Sequence, residues 1–206
     1  MIDGVHIWRA ALDEEGWPGP GELPPAERRR AEAFLRPETA RRWVAARWAL
    51  RRTLARYLDR PPAGIELEEA AQGKPRLRNH SGGIELSLAH SASLALVAVT
   101  EGRQVGVDVE MITPRENLVA LAERVLPAAA AAGIRDAAPR RQLDAFYAAW
   151  VEHEARVKCL GTGLGAPLPD VEMAVEAVAV GPEYAAAVAV AGSAVGPLDC
   201  HTLRAG

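Results

Sequence analysis

A chain of 206 residues, 49% hydrophobic and 25% charged, is long enough to bury a sizeable core and too apolar for disorder. Formal net charge is only −3, and no nucleic-acid-binding motif accompanies the basic residues, which argues against a nucleic-acid partner. Residues 1–12 mix acidic and basic side chains where a signal peptide would be apolar, and the Ala/Val-rich stretch 171–195 is broken by Glu176, Pro182 and Glu183, so no membrane span is expected. Cys159 and Cys200 lack metal-site spacing and fit free thiols in a reducing compartment, which makes the cytoplasm the expected location.

In chain order, Val5 to Leu12 reads as a first strand, followed by a loop punctuated by Gly16, Pro18, Gly19, Pro20 and Gly21. Pro25 opens a short helix to about Leu35, and Pro37 occupies the N1 position of a longer one to about Leu58. Residues 27–60 hold eleven arginines against Glu27, Glu32, Glu38 and Asp59, a local charge of +7, leaving −10 for the remainder. Such a segment suits a phosphate-bearing ligand or an acidic partner protein. Ile65 to Glu69 reads as a strand, Gly73-Lys74-Pro75 as a rigid turn, and residues 79–83 as a second turn. Ile84–Leu88, Leu94–Thr100 and Gln104–Met111 form a strand-rich block, with Glu101-Gly102-Arg103 as a hairpin turn.

A helical region from Pro114 to Leu126 and an Ala-rich patch to Gly133 follow. Pro139 then opens the helix carrying Phe146, Trp150, Glu154 and Lys158, which Gly161, Gly163 and Gly165 end. Strands at Val171–Val180, Tyr184–Val190 and Asp199–Leu203 close the chain. This order predicts an α+β protein of two similar lobes, residues 1–103 and 104–206, with no sequence repeat relating them.

Two segments concentrate chemistry. In Gly106-Val107-Asp108-Val109-Glu110, residues two apart on a strand share a face, so Asp108 and Glu110 project together while Val105, Val107 and Val109 supply a buried face. In Trp150-Val151-Glu152-His153-Glu154-Ala155-Arg156-Val157-Lys158, residues four apart on a helix place Glu154 between Trp150 and Lys158 on one stripe. Hard oxygen ligands on two elements suit Mg²⁺, which takes one or two carboxylates plus waters and substrate phosphates. Against 22 arginines the chain has two lysines, Lys74 and Lys158, a bias that marks both as places for a compact ammonium.

The order Gly73-Lys74-Pro75, Ala89-His90-Ser91, Gly106-Val107-Asp108-Val109-Glu110, then Phe146 and Trp150 leading into Glu154 and Lys158, closely resembles the 4'-phosphopantetheinyl transferases of the larger, Sfp-like type, over roughly residues 25–165. The resemblance implies a pseudo-two-fold fold with the active site in the interlobe cleft. It implies transfer of the phosphopantetheine arm of coenzyme A to a serine of an apo acyl, peptidyl or aryl carrier protein, releasing adenosine 3',5'-bisphosphate, by a single chain acting as a monomer. By the same resemblance Asp108, Glu110 and Glu154 are the expected Mg²⁺ ligands, Lys158 lies beside the pyrophosphate, and Glu154 or a metal-bound water is the base. Lys74, His90, Arg47 and, with less support, Arg42 and Arg30 are expected around the CoA phosphates, His90 and Arg47 nearest the 3'-phosphate. Phe146 and Trp150 are expected as core aromatics. Two positions depart from the family pattern: Ala89 where Ser is frequent, and His153 where Lys is usual. A silent CoA- or carrier-binding homologue and a Mg²⁺-dependent phosphohydrolase are the competing readings.

Overall fold

The computed structural model describes residues 2–70, 73–78, 83–163 and 169–206. Strand β1 (Val5–Ala11) is followed by helices α1 (Pro25–Glu32) and α2 (Pro37–Ala55), short strands β2 (Leu67–Glu69) and β3 (Pro75–Leu77), and strands β4 (Ile84–Ser91), β5 (Leu94–Glu101) and β6 (Val105–Met111). Helices α3 (Leu118–Val125), α4 (Ala128–Asp136) and α5 (Pro139–Leu160) come next, then β7 (Met173–Ala177), β8 (Tyr184–Ala191) and β9 (Leu198–Leu203). The mixed α+β class expected from the sequence is therefore observed. No helix among the described residues is long and apolar enough to cross a membrane.

Proline at the first turn starts α1, α2 and α5, where its missing N–H costs no hydrogen bond. Gly161, at φ 69°, ends α5 by donating its N–H to Val157 O at 2.9 Å. Helix α3 starts at Leu118, later than expected, because Asn117 at φ 54° breaks the preceding segment. The Ala-rich patch is itself helical, α4, with Gly133 inside it instead of ending it. Strand β4 continues through His90 and Ser91 to a hairpin with β5, whose turn holds Ala92 at φ 48°. Glu101-Gly102-Arg103 is not a hairpin turn, since β5 and β6 belong to different sheets. Most of the turn expected at residues 79–83, together with Leu164 and Gly165, lies outside the described residues.

Strand order is β4-β5-β1-β9 in the larger sheet, with β9 parallel to β1 and the other pairs antiparallel; β6-β8-β7 forms an antiparallel second sheet. Side-chain alternation explains the layering. On β5, Leu94, Leu96 and Ala98 join Val105, Val107, Val109, Val188 and Val190 in a core between the sheets, whereas Ala95, Val97 and Val99 face Ala45, Ala46, Ala49, Leu50 and Leu54 of α2. On β8, Ala187 and Ala189 turn outward against Val151, Ala155 and Cys159 of α5. Strands covered on both faces need apolar residues at every position, as β5 has from Leu94 to Val99.

Beneath α2, Arg51 is 1% exposed and bonds Glu27 through Nε and Nη2 at 3.2 and 3.1 Å and Ile65 O through Nη1 at 2.6 Å. Removing it strands a buried carbonyl and half of an ion pair. Arg51→Ala is expected to lower the unfolding free energy by about 3 kcal/mol, read from urea denaturation at unchanged m-value.

Candidate active site

The site is built on the contact of α5 with β6. A Cβ at Gly106 would lie 2.0 Å from Ala155 O and 2.3 Å from Cys159 N, so only glycine lets the helix backbone lie this close to the strand. Two residues along, Asp108 meets a side chain of the same turn: Lys158 Nζ donates to Asp108 Oδ1 at 2.5 Å. Asp108 Oδ2 and Glu154 Oε1 are both buried with no hydrogen-bond partner among the described residues. Glu110, at the mouth, accepts a 2.8 Å bond from Ser91 Oγ. The shared face of Asp108 and Glu110, the opposite buried face of the three valines, and the helix stripe of Glu154 and Lys158 are all as the spacing predicts.

These groups sense one another. Glu154 is pushed up to about 6, chiefly by burial and then by the negative charges of Asp108 and Glu110, with Lys158 opposing. Burial also raises Asp108, against the pull of Lys158 and the Val109 N–H. Three carboxylates and one ammonium leave an excess of negative charge, and two orphaned buried oxygens aim it inward. That donor set fits a hard divalent cation, which would reverse both shifts. Among the described residues no three acidic, His or Cys groups are closed to ligating distance, and the Lys158 ammonium holds Asp108 instead.

Beside the carboxylates is a cavity of about 220 Å³ lined by Arg30, Trp43, Arg47, His90 and Lys158. A smaller recess of about 140 Å³ shares Lys158, Gly73, Pro75 and Leu88 with it and extends to Lys74 and Ser87. Larger hollows exist, about 660 Å³ beside α3 and about 360 Å³ beside Trp17, but neither is lined by Lys158, the residue that links the 220 Å³ cavity to Asp108. The 220 Å³ cavity matters because five of its lining residues are charged or titratable, Arg30, Arg47, His90 and Lys158 against the one acid Glu69, and it opens on Lys158. His90 presents surface to solvent, yet its surroundings crowd it, and this desolvation, with Lys158 nearby, holds its pKa below the ordinary value.

The basic residues divide. Arg30 and Arg47 sit over the Trp43 ring at 5.9 and 5.8 Å, two guanidinium groups on one indole. Arg47 bonds Glu27 through Nε and Nη2, and Arg30 bonds Glu69 at 3.0 and 3.1 Å. Arg42 does not reach the cavity: Asp13 holds it at 2.6 and 2.9 Å and Glu38 at 2.8 Å. Lys74 lines the recess but turns its ammonium to Val105 O at 2.9 Å and Cys159 O at 3.4 Å, tying the start of β6 to the last turn of α5. Phe146 is buried and stacks on Trp150 at 6.3 Å, consistent with a core role for both. Trp43 and Glu27 carry no mark in the sequence beyond their type, although Trp43 and Arg47 stand four apart on α2, and Ser91 enters the sequence reading only as the neighbour of His90.

Comparison with known proteins is decisive at this point. A model of the 4'-phosphopantetheinyl transferase superfamily matches residues 104–185, from β6 through α5 and β7 to the start of β8. The chain is 34% identical to the 4'-phosphopantetheinyl transferase HetI of Nostoc sp. over 179 residues, covering 84% of this chain and 75% of that one. The chain belongs to the 4'-phosphopantetheinyl transferase superfamily. It is 34% identical to the 4'-phosphopantetheinyl transferase AcpT of Salmonella typhi, over 68% of each chain. To the L-aminoadipate-semialdehyde dehydrogenase-phosphopantetheinyl transferase of Xenopus laevis it is 29% identical, over 75% of this chain and 54% of that protein. Membership makes the protein an enzyme, a transferase, and places the superfamily match on the strand and helix that carry all four central residues.

Two expected outcomes test this geometry. Gly106→Ala should force α5 from β6, lowering the unfolding free energy by about 3 kcal/mol in denaturant melts and lowering activity with it. Lys74→Met keeps the aliphatic stem but orphans two carbonyls, so it should cost about 1 to 3 kcal/mol of stability by the same measurement.

Proposed function

We propose that this transferase moves the 4'-phosphopantetheine arm of coenzyme A onto a serine hydroxyl of an apo acyl, peptidyl or aryl carrier protein, with Mg²⁺, releasing adenosine 3',5'-bisphosphate. The observation that carries this is the convergence of Asp108, Glu110, Glu154 and Lys158 at the edge of a cavity walled by Arg30, Arg47 and His90. A pyrophosphate and a 3'-phosphate are the two anionic parts of the donor, and acid-plus-ammonium and guanidinium groups are the two kinds of site offered.

In this reading Asp108, Glu110 and Glu154 would hold the cation, which when bound would supply positive charge to offset that of the pyrophosphate. Lys158, 30% exposed along its side chain, can exchange Asp108 for a phosphate oxygen and stabilise the charge developing there. Glu154 or a cation-bound water would take the proton of the carrier serine as its oxygen bonds to phosphorus. Both nitrogens that Arg47 spends on Glu27 lie on one edge of the guanidinium, leaving Nη1 for a phosphate. Lys74 acts on the donor indirectly, through the placement of α5 and β6.

The architecture is read as two related lobes of the larger, Sfp-like kind, residues 1–103 and 104–206, each a helix on a sheet, with the site at their junction. Strand β9 returns to complete the first sheet. One chain supplies both halves of the site and so acts as a monomer.

Incubation with CoA and Mg²⁺ should add the phosphopantetheine mass to an apo carrier protein, read by intact-protein mass spectrometry across carriers of fatty-acid, polyketide and nonribosomal peptide synthesis. Binding of CoA with no mass gain on any carrier would instead support a silent homologue. Asp108→Ala should abolish transfer in the same assay while leaving the fold intact by circular dichroism. Dephospho-CoA should be a poorer donor than CoA, and Arg47→Ala should shrink that preference about ten- to a hundredfold in kcat/KM. Equal loss with both donors would assign Arg47 to packing.

A further inference from the structure

Strands β4 and β6 are the facing edges of the two sheets, and no backbone ladder joins them. They are joined by serines. Val107 N–H donates to Ser87 Oγ at 3.1 Å, and Met111 N–H donates to Ser91 Oγ at 3.1 Å. Both bonds span 20 residues of sequence, so the two edges run parallel in constant register, held apart by the thickness of a hydroxyl side chain. Residues 107 and 111 are four apart on one strand, so their N–H groups point to the same edge, and without the serines that edge would be unsatisfied.

The two serines differ in one respect. Ser87 is buried and serves the backbone. Ser91 also donates its own hydrogen to Glu110 Oε2 at 2.8 Å. Because the Met111 N–H already occupies a lone pair of Ser91 Oγ, the hydroxyl hydrogen is turned away from Met111 and toward the carboxylate. Glu110 is thus held at Oε2 by a donor whose own orientation is set by β6, a bond that does not use Oε1.

We propose that Ser91 is a positioning residue for cation binding, which orients Glu110 as a ligand, whereas Ser87 only closes the seam. This rests on the reading of Asp108, Glu110 and Glu154 as the carboxylates that hold the metal. Partners that orient ligating carboxylates are typically worth ten- to a hundredfold in metal affinity.

The test uses Mn²⁺ as the probe, titrated into the full chain with CoA present and read by loss of the free-ion EPR signal, with folding checked by thermal melting. Ser91→Val and Ser91→Ala, which lack the hydroxyl, should raise the Mn²⁺ Kd about ten- to a hundredfold. Ser91→Thr, matched to valine in shape, should bind within about threefold of wild type, since it differs from valine chiefly in keeping the hydroxyl. Ser87→Ala should melt earlier yet bind Mn²⁺ like wild type. If the hydroxyl-free variants bind as tightly as Ser91→Thr, or if Ser87→Ala weakens Mn²⁺ equally, the role of Ser91 is overturned. If wild type binds no Mn²⁺ with CoA, the cation reading of the carboxylates falls instead, a result separate from either.

Discussion

Every functional group described here depends on how closely α5 lies against β6. Backbone contact at Gly106 sets the distance, and the Lys74 ammonium, bonded to Val105 O and Cys159 O, pins the same two elements from the other side. Between these constraints Asp108 and Lys158 meet at 2.5 Å and Glu154 comes within electrostatic reach of both. A helix held a few ångströms further away would leave the same side chains as an ordinary strand and an ordinary amphipathic helix.

The second constraint is charge. Burying carboxylates without enough positive charge is unfavourable, and the structure shows the consequence in the raised proton affinity of Asp108 and Glu154. Lys158 offsets part of it, but it is itself partly exposed and has only one carboxylate within bonding distance. The arginine pocket solves the opposite problem: Glu27 and Glu69 neutralise Arg47, Arg51 and Arg30 well enough for them to be held near one another. An anionic ligand spanning both regions would complete what each lacks.

Much of this was legible in the sequence where the signal is local. Prolines at the first turn marked three helices, alternation separated the valine face of β6 from its acidic face, and a four-residue spacing put Glu154 and Lys158 on one stripe. What could not be read depends on distant partners. Arg42 and Arg47 are alike in type and neighbourhood, and it is Asp13, far back in the chain, together with Glu38 on the same helix, that draws Arg42 away. The direction of the Lys74 ammonium is decided by carbonyls 31 and 85 residues off. The seam between β4 and β6 is made by side chains instead of a backbone ladder, so neither strand periodicity nor turn chemistry announces it.

The pairing of β9 with β1 has a kinetic meaning. His6 lies opposite Asp199 and Trp8 opposite His201, so the first strand of the chain shares its ladder with the last. Its other neighbour, β5, is available once residue 101 has been made, but the outer edge of β1 stays open until synthesis has reached β9. Sheets closed by contacts of such long sequence separation form slowly, because loop-closure entropy is lost before the pairing compensates for it. A nascent chain of this protein therefore carries an exposed strand edge until residues 198–203 emerge and cover it, and chaperone demand should persist to that point.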